Sequence, residues 1–256
     1  MKIHQNYQLK ELNGLKVPAL ARYYVEIHKE EDIAELIKHP EWSTLPHFIL
    51  GGGMNTVFVK DYDGFVINVM LKGYEWDEYE NGCKVKVGAG EDWPEFIENC
   101  VNKGYNGNEN LAGVPGQVGA APIQNIAVYG QTQEDTFYEL EAIDLETGEK
   151  KVFSKEDCGF VYRYSRFKKD LSGNYLVTSV TYQLKKDENY LAKLDYWERY
   201  RSIKEVMDTI TEPPYTVRNV FDAVIKLRGI KLPQPEEFGS LGSMFLNPFL
   251  IDMSQK

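Results

Sequence analysis

Residues 113–125 read Gly-Val-Pro-Gly-Gln-Val-Gly-Ala-Ala-Pro-Ile-Gln-Asn. The stretch is long, uncharged and made almost wholly of small side chains. A surface loop of this length normally carries Asp, Lys or Ser. Small side chains with available N–H groups suit a flat cofactor laid against the main chain, with Pro115, Gly116, Val118, Gly119, Ala120, Gln124 and Asn125 as candidate contacts. The same composition also suits a buried small-residue turn between sheet layers, and the segment alone leaves both readings open.

Upstream, Gly51-Gly52-Gly53-Met54-Asn55 directly follows the apolar run His47-Phe48-Ile49-Leu50. Successive N–H groups in such a turn can face a pyrophosphate. The spacing is not GxGxxG and no helix is evident after it, which excludes the Rossmann fingerprint. A tight structural turn is the competing reading. Residues 23–28 alternate as a strand, and 29–40 carry Ile33, Leu36 and Ile37 at helical spacing with acids in the first turn. Residues 57–69 suggest a hairpin around Asp63-Gly64. Residues 83–93 alternate and end in Gly-Ala-Gly, and 93–104 form an amphipathic helix with Gly104 at its C-terminal cap. A hairpin is expected over 137–154, turning at 146–148, and a strand over 175–184. Beyond about 189 the chain turns Tyr- and charge-rich, helical or irregular, and then predicts a helix over 217–229 with Val220, Val224 and Leu227 on one face.

The 256 residues allow a sizeable core and more than one packed unit. No apolar run is long enough to cross a membrane, and the N-terminus lacks a signal-peptide apolar region, so a cytoplasmic protein is expected. The net charge of −10 argues against non-specific nucleic-acid binding. Three widely spaced cysteines without a CxxC fit reduced thiols rather than a disulfide framework or a metal site.

Taken in order, ILGGGMN (49–55), VGAGEDW (87–93), GVPGQVGAAPIQNIAVYG (113–130), GFVYRYSRFK (159–168), KLPQP (231–235) and LGSMFLNP (241–248) resemble the successive motifs of the bacterial UDP-N-acetylenolpyruvoylglucosamine reductases. The resemblance implies an α+β fold: an FAD-binding domain of the vanillyl-alcohol-oxidase (PCMH) type in two lobes, over 1–70 and 71–190, then a partial α+β substrate-binding domain over 191–256. It implies FAD and NADPH as cofactors, a UDP-sugar as substrate and a monomeric protein. It makes Ser243 the proton donor and Arg163 the cation facing the substrate carboxylate, an always-charged fork suited to an enolate-like charge. Tyr162, Tyr196, Lys231 and Asn247 take substrate-binding positions. Each has a plainer reading: a Gly-Ser turn, a basic surface patch, a packing tyrosine, a solvated lysine.

Three departures from the family pattern stand out. The family continues beyond the LGSMFLNP segment and carries a catalytic glutamate near its end, whereas no Glu follows Glu237 here. Ala127-Val128 replace a smaller Gly-Ala pair, which adds bulk beside the proposed flavin loop. Leu246 replaces a residue that is usually basic. The sequence therefore reads first as this reductase and otherwise as a flavin-binding fragment without turnover. A flavin oxidoreductase of the same fold with another substrate is the third reading.

Overall fold

The computed structural model describes residues 1–187, 190–194, 196, 202–232 and 238–242. The described elements run β1 (Ile3–Gln8), β2 (Leu20–Ile27), α1 (Glu30–Leu36), β3 (His47–Leu50), β4 (Tyr62–Val69), β5 (Tyr74–Tyr79), β6 (Gly82–Gly88) and α2 (Trp93–Asn102). Then come α3 (Ala121–Gln124), β7 (Ala127–Val128), β8 (Gln131–Thr132), β9 (Phe137–Asp144), β10 (Lys150–Ser154), α4 (Lys155–Cys158), β11 (Tyr175–Lys185), α5 (Ile203–Met207) and α6 (Val217–Lys231).

Strands β1–β4 form a four-stranded sheet in the order β1-β2-β4-β3. Its first pair is antiparallel, and β4 runs parallel to both β2 and β3. The expected hairpin at Asp63-Gly64 does not form, because both residues lie inside β4. The Phe65 amide donates to the Pro46 carbonyl at 2.9 Å. A Cβ on Gly64 would fall 2.1 Å from the Pro46 oxygen. The glycine thus marks a close backbone approach rather than a turn.

The second sheet is antiparallel throughout, in the order β10-β9-β11-β6-β5. The β9–β10 hairpin turns as the sequence indicates, whereas β5, with one nearly solvated face, carries no clear apolar alternation. Helix α2 is capped by the Asp92 side chain, which accepts from the Glu95 amide, and it buries Trp93, Phe96, Ile97, Cys100 and Val101. Lys103 caps its C-terminus and Gly104 follows at φ +82°.

One continuous hydrophobic core joins the two sheets. It runs from Val25, Phe65 and Ile67 through Val85, Phe96, Leu140 and Tyr182 to Val206, Val220 and Leu227 of α5 and α6. Polar ties reinforce the junction: the Trp42 indole donates to the Leu145 carbonyl at 3.3 Å, and Lys150 pairs with Glu30 at 2.6 Å.

Candidate functional site: a cleft between two glycine-rich loops

The loop after β3 and the loop before α3 come from the two sheets and meet face to face. A Cβ on Gly52 would lie 3.1 Å from the Gly116 Cα, and one on Gly51 would lie 3.2 Å from the Ala120 Cβ. Gly53 has φ +67°, and a Cβ there would sit 2.0 Å from the Leu12 carbonyl oxygen. No other residue type fits that position without moving the chain. The two loops wall a cleft of about 570 Å³. Gly51, Gly52, Gly53, Met54, Asn55, Pro115, Gly116, Gly119, Ala120 and Gln124 all line it.

The two loops differ in which backbone groups they leave available. Val118 donates to the Glu91 carbonyl (2.9 Å), Gly119 to Ala89 (2.8 Å) and Ala120 to Gln117 (3.0 Å). The expectation of free amides is therefore corrected at these three residues: Val118 and Gly119 fasten the loop to the turn after β6, and Ala120 closes a turn within the loop itself. The amides of Gly52, Gly53, Met54 and Asn55 meet no acceptor among the described residues. Gln117 spans the cleft floor: its amide nitrogen donates to the Val69 carbonyl at 3.0 Å, and its Oε1 is buried without a partner. A buried acceptor facing a cleft is costly unless a ligand donor meets it.

Val118 and Asn125 stand behind the cleft wall rather than on it. Val118 is fully buried. Asn125, at φ +45°, caps α3; its Nδ2 donates to the Val161 carbonyl at 2.9 Å and to Glu134 at 2.6 Å. The Ser165 hydroxyl donates to the Ile123 carbonyl at 2.8 Å. Helix α3 thus holds both ends of the 161–165 loop, whose tip carries Tyr162 and Arg163. Arg163 adopts φ +57°, its carbonyl accepts from Lys168 at 3.0 Å, and its guanidinium lies 5.9 Å from the Tyr162 ring centroid.

A third group forms around Tyr129, which with Gly130 makes the tight turn of β7 and β8; φ is +48° and +78° at the two residues. The Tyr196 ring meets the Tyr129 ring edge-on at 6.4 Å, and Lys231, in the last turn of α6, brings its Nζ within 5.8 Å of the same ring. Burial pushes the Arg228 guanidinium below its usual value, partly offset by its hydrogen bond with Tyr129. The sequence reading missed Tyr129 and Arg228. The Tyr129-Gly130 pair was the only local sequence signal for that turn, and two-residue strands are too short to show alternation. Ala127 and Val128 form β7 and do not line the cleft, so their bulk does not enter it.

Ser243, Leu246 and Asn247 lie outside the described residues. The segment just before them packs beside the first glycine loop. Ser240 donates to the Gly14 carbonyl at 2.8 Å, and Gly14 in turn donates to Gly53 at 3.0 Å. The structure therefore gathers the cofactor candidates on one cleft, Arg163 and Tyr162 on a loop anchored to its wall, and Tyr196 with Lys231 around Tyr129.

Residues 21–154 match the model of the FAD binding domain family. The chain is 39% identical to a UDP-N-acetylenolpyruvoylglucosamine reductase of Amoebophilus asiaticus over 98% of its own length and 72% of the relative's. Against that of Bdellovibrio bacteriovorus the identity is 40%, over 98% and 73%. The fold is also similar to the crystal structure of UDP-N-acetylenolpyruvylglucosamine reductase from Thermus caldophilus. The TM-score is 0.67 at 23% identity, over 96% of this chain and 74% of that one. The paired glycine loops, the amides left open on the first and the unpartnered Gln117 oxygen all fit a flavin dinucleotide. The chain belongs to the UDP-N-acetylenolpyruvoylglucosamine reductase family, with an FAD-binding domain at its core.

Proposed function

We propose that this chain acts as an NADPH-dependent flavoprotein that reduces the enolpyruvyl ether of UDP-N-acetylglucosamine enolpyruvate to the lactyl ether of UDP-N-acetylmuramate, in cell-wall precursor synthesis. The observation that carries this reading most directly is the fastening of the Arg163 loop to α3, the wall of the FAD cleft. It ties a cation to the place where reducing equivalents are delivered. A cytoplasmic, monomeric enzyme belongs to the same proposal. So does the division into lobes 1–70 and 71–190 and a substrate-binding part over 191–256.

FAD, when bound, supplies the hydride that NADPH provides. The residues of this chain do the rest. Gly52, Gly53, Met54 and Asn55 offer backbone amides to the dinucleotide, Gly51 gives it room beside them, and the Pro115–Gln124 wall holds it flat and excludes water. Val118 and Asn125 act from behind, by fixing that wall. Reduction of the vinyl ether leaves negative charge delocalised into the substrate carboxylate. Arg163 faces that carboxylate, and its charge stabilises the enolate-like species. Tyr162 orients the guanidinium. Ser243 gives the proton from its Oγ to the neighbouring carbon, a general-acid contribution typically worth about 10²–10⁴-fold. Tyr196, Lys231 and Asn247 hold the UDP-sugar; an ammonium and two hydrogen-bonding groups suit its diphosphate and hydroxyls.

Ser243→Ala tests the assignment. Flavin reduction by NADPH should stay within about twofold of wild type, while reoxidation by the enolpyruvyl substrate should slow by at least about 100-fold, the lower end for general acid catalysis. Equal slowing of the two half-reactions would remove the proton-donor role.

A further inference from the structure

The walls of the cleft are almost without charge. Among the described residues that line it, Lys168 alone carries an Asp, Glu, Lys or Arg side chain. We infer that Lys168 is an anion anchor for the diphosphate of the bound flavin dinucleotide, held in place by the carbonyl of Arg163. The inference rests on the FAD reading of the cleft and goes beyond it by assigning a charge-reading residue.

Three observations carry it. Lys168 ends the 3-10 turn Arg166–Lys168, whose central residue, Phe167, is buried and also lines the cleft. That turn is pinned by the fully buried Ser165, whose hydroxyl donates to Ile123 on the cleft wall. The lysine stem therefore starts from a fixed point. Its Nζ donates to the Arg163 carbonyl at 3.0 Å. An ammonium has three donors, so others remain for a ligand oxygen. Finally, the chain as a whole carries a net charge of −10. Its long-range field disfavours a dianionic dinucleotide, and a local ammonium reverses that sign where the ligand binds. A compact, hydrated point charge suits a phosphate without demanding bidentate geometry. Because the side chain is exposed, the interaction should be modest and screened by salt.

The test is titration of the flavin-free chain with FAD, followed by flavin fluorescence at low and at physiological ionic strength. The variants are Lys168→Met, Lys168→Arg and Lys169→Met; Lys169 is the adjacent exposed lysine, which does not line the cleft. At low salt, Lys168→Met should bind FAD about 5-fold more weakly than wild type, the upper end for a solvent-exposed charge pair. The gap should narrow as salt is added. Lys168→Arg and Lys169→Met should stay within about twofold at both salt concentrations, as expected where the charge is kept or lies away from the site.

Wild-type affinity in Lys168→Met would overturn the inference. So would a deficit of equal size at every salt concentration, which would report a packing defect rather than a lost charge. A wild-type chain that binds no FAD would overturn the cofactor reading, and the inference with it.

Discussion

At the scale of single residues, backbone conformation decides which positions tolerate change. Gly53 combines φ +67° with a carbonyl oxygen 2.0 Å from where a Cβ would stand. Gly53→Ala should therefore cost more than about 2 kcal/mol, through strain and displacement of the Leu12–Asn13 turn. Chemical denaturation would show a lower midpoint together with loss of flavin. Full stability and full flavin content in that variant would contradict the geometry. Arg163→Ala should leave the fold intact, because the side chain is half-buried and points from a loop tip. It should slow flavin reoxidation by the enolpyruvyl substrate by roughly 100-fold, the scale expected when one preorganised charge is lost from a developing anion. Reoxidation at the wild-type rate would remove Arg163 from the proposed chemistry. The glycines of both loops were legible in the sequence because a run of small residues beside a strand marks a close approach of backbone to backbone or ligand. Gln117 was not. Its role depends on an oxygen left unpartnered in the fold, which no local pattern encodes.

At the scale of elements, the 161–165 loop depends on two hydrogen bonds to α3 and its cap, through Asn125 and Ser165. Ser165 is fully buried and its hydroxyl donates to Ile123 at 2.8 Å. Ser165→Ala strands that carbonyl and should cost roughly 1–3 kcal/mol, the usual penalty for an unsatisfied buried polar group. If the loop carries Arg163 as proposed, reoxidation by substrate should weaken more than flavin affinity does. A urea titration, a flavin titration and anaerobic reoxidation by the enolpyruvyl substrate, all on one preparation, separate these effects.

Strongly periodic elements were easy to read from sequence. α2 and α6 each bury one face and sit close to where periodicity puts them; β11 also lies where it was expected, but it is buried on both faces over Leu176–Val180 and alternates only beyond. The misreading over 57–69 came from Asp63-Gly64, a pair that favours a turn when local preference decides. In the fold the pair is overridden by parallel pairing of β4 between β2 and β3. β1 escaped notice because its Ile3–Gln8 segment has no buried residue and is largely polar, so it shows no apolar alternation.

At the scale of the molecule, the two sheets share one core, and its three thiols all lie inside it. Burial pushes Cys83 up to about 11 and Cys158 up to about 12, and raises Cys100 well above its usual value near 9. A thiol whose pKa is raised by folding favours the native state fully below the unfolded value. That contribution is lost as pH rises through the folded values. Stability should therefore fall progressively above about pH 9 as unfolded thiols ionise first. All three cysteines should resist a thiol reagent at pH 8 until the chain unfolds. Rapid labelling of the native protein would contradict their burial. Class and motif order were readable from sequence at this scale. The meeting of the two loops was not, because it depends on how two sheets pack together from segments far apart in sequence, as with Gly52 against Gly116.

The central claim is that this cleft holds FAD and that the bound flavin passes reducing equivalents from NADPH to an enolpyruvyl sugar. The most direct measurement is the visible absorption spectrum of the purified chain, reconstituted with FAD and mixed anaerobically with NADPH and then with UDP-N-acetylglucosamine enolpyruvate. The expected result is flavin bands that bleach with NADPH and return with substrate. No flavin bands after reconstitution, or bleached bands that substrate does not restore, would contradict it.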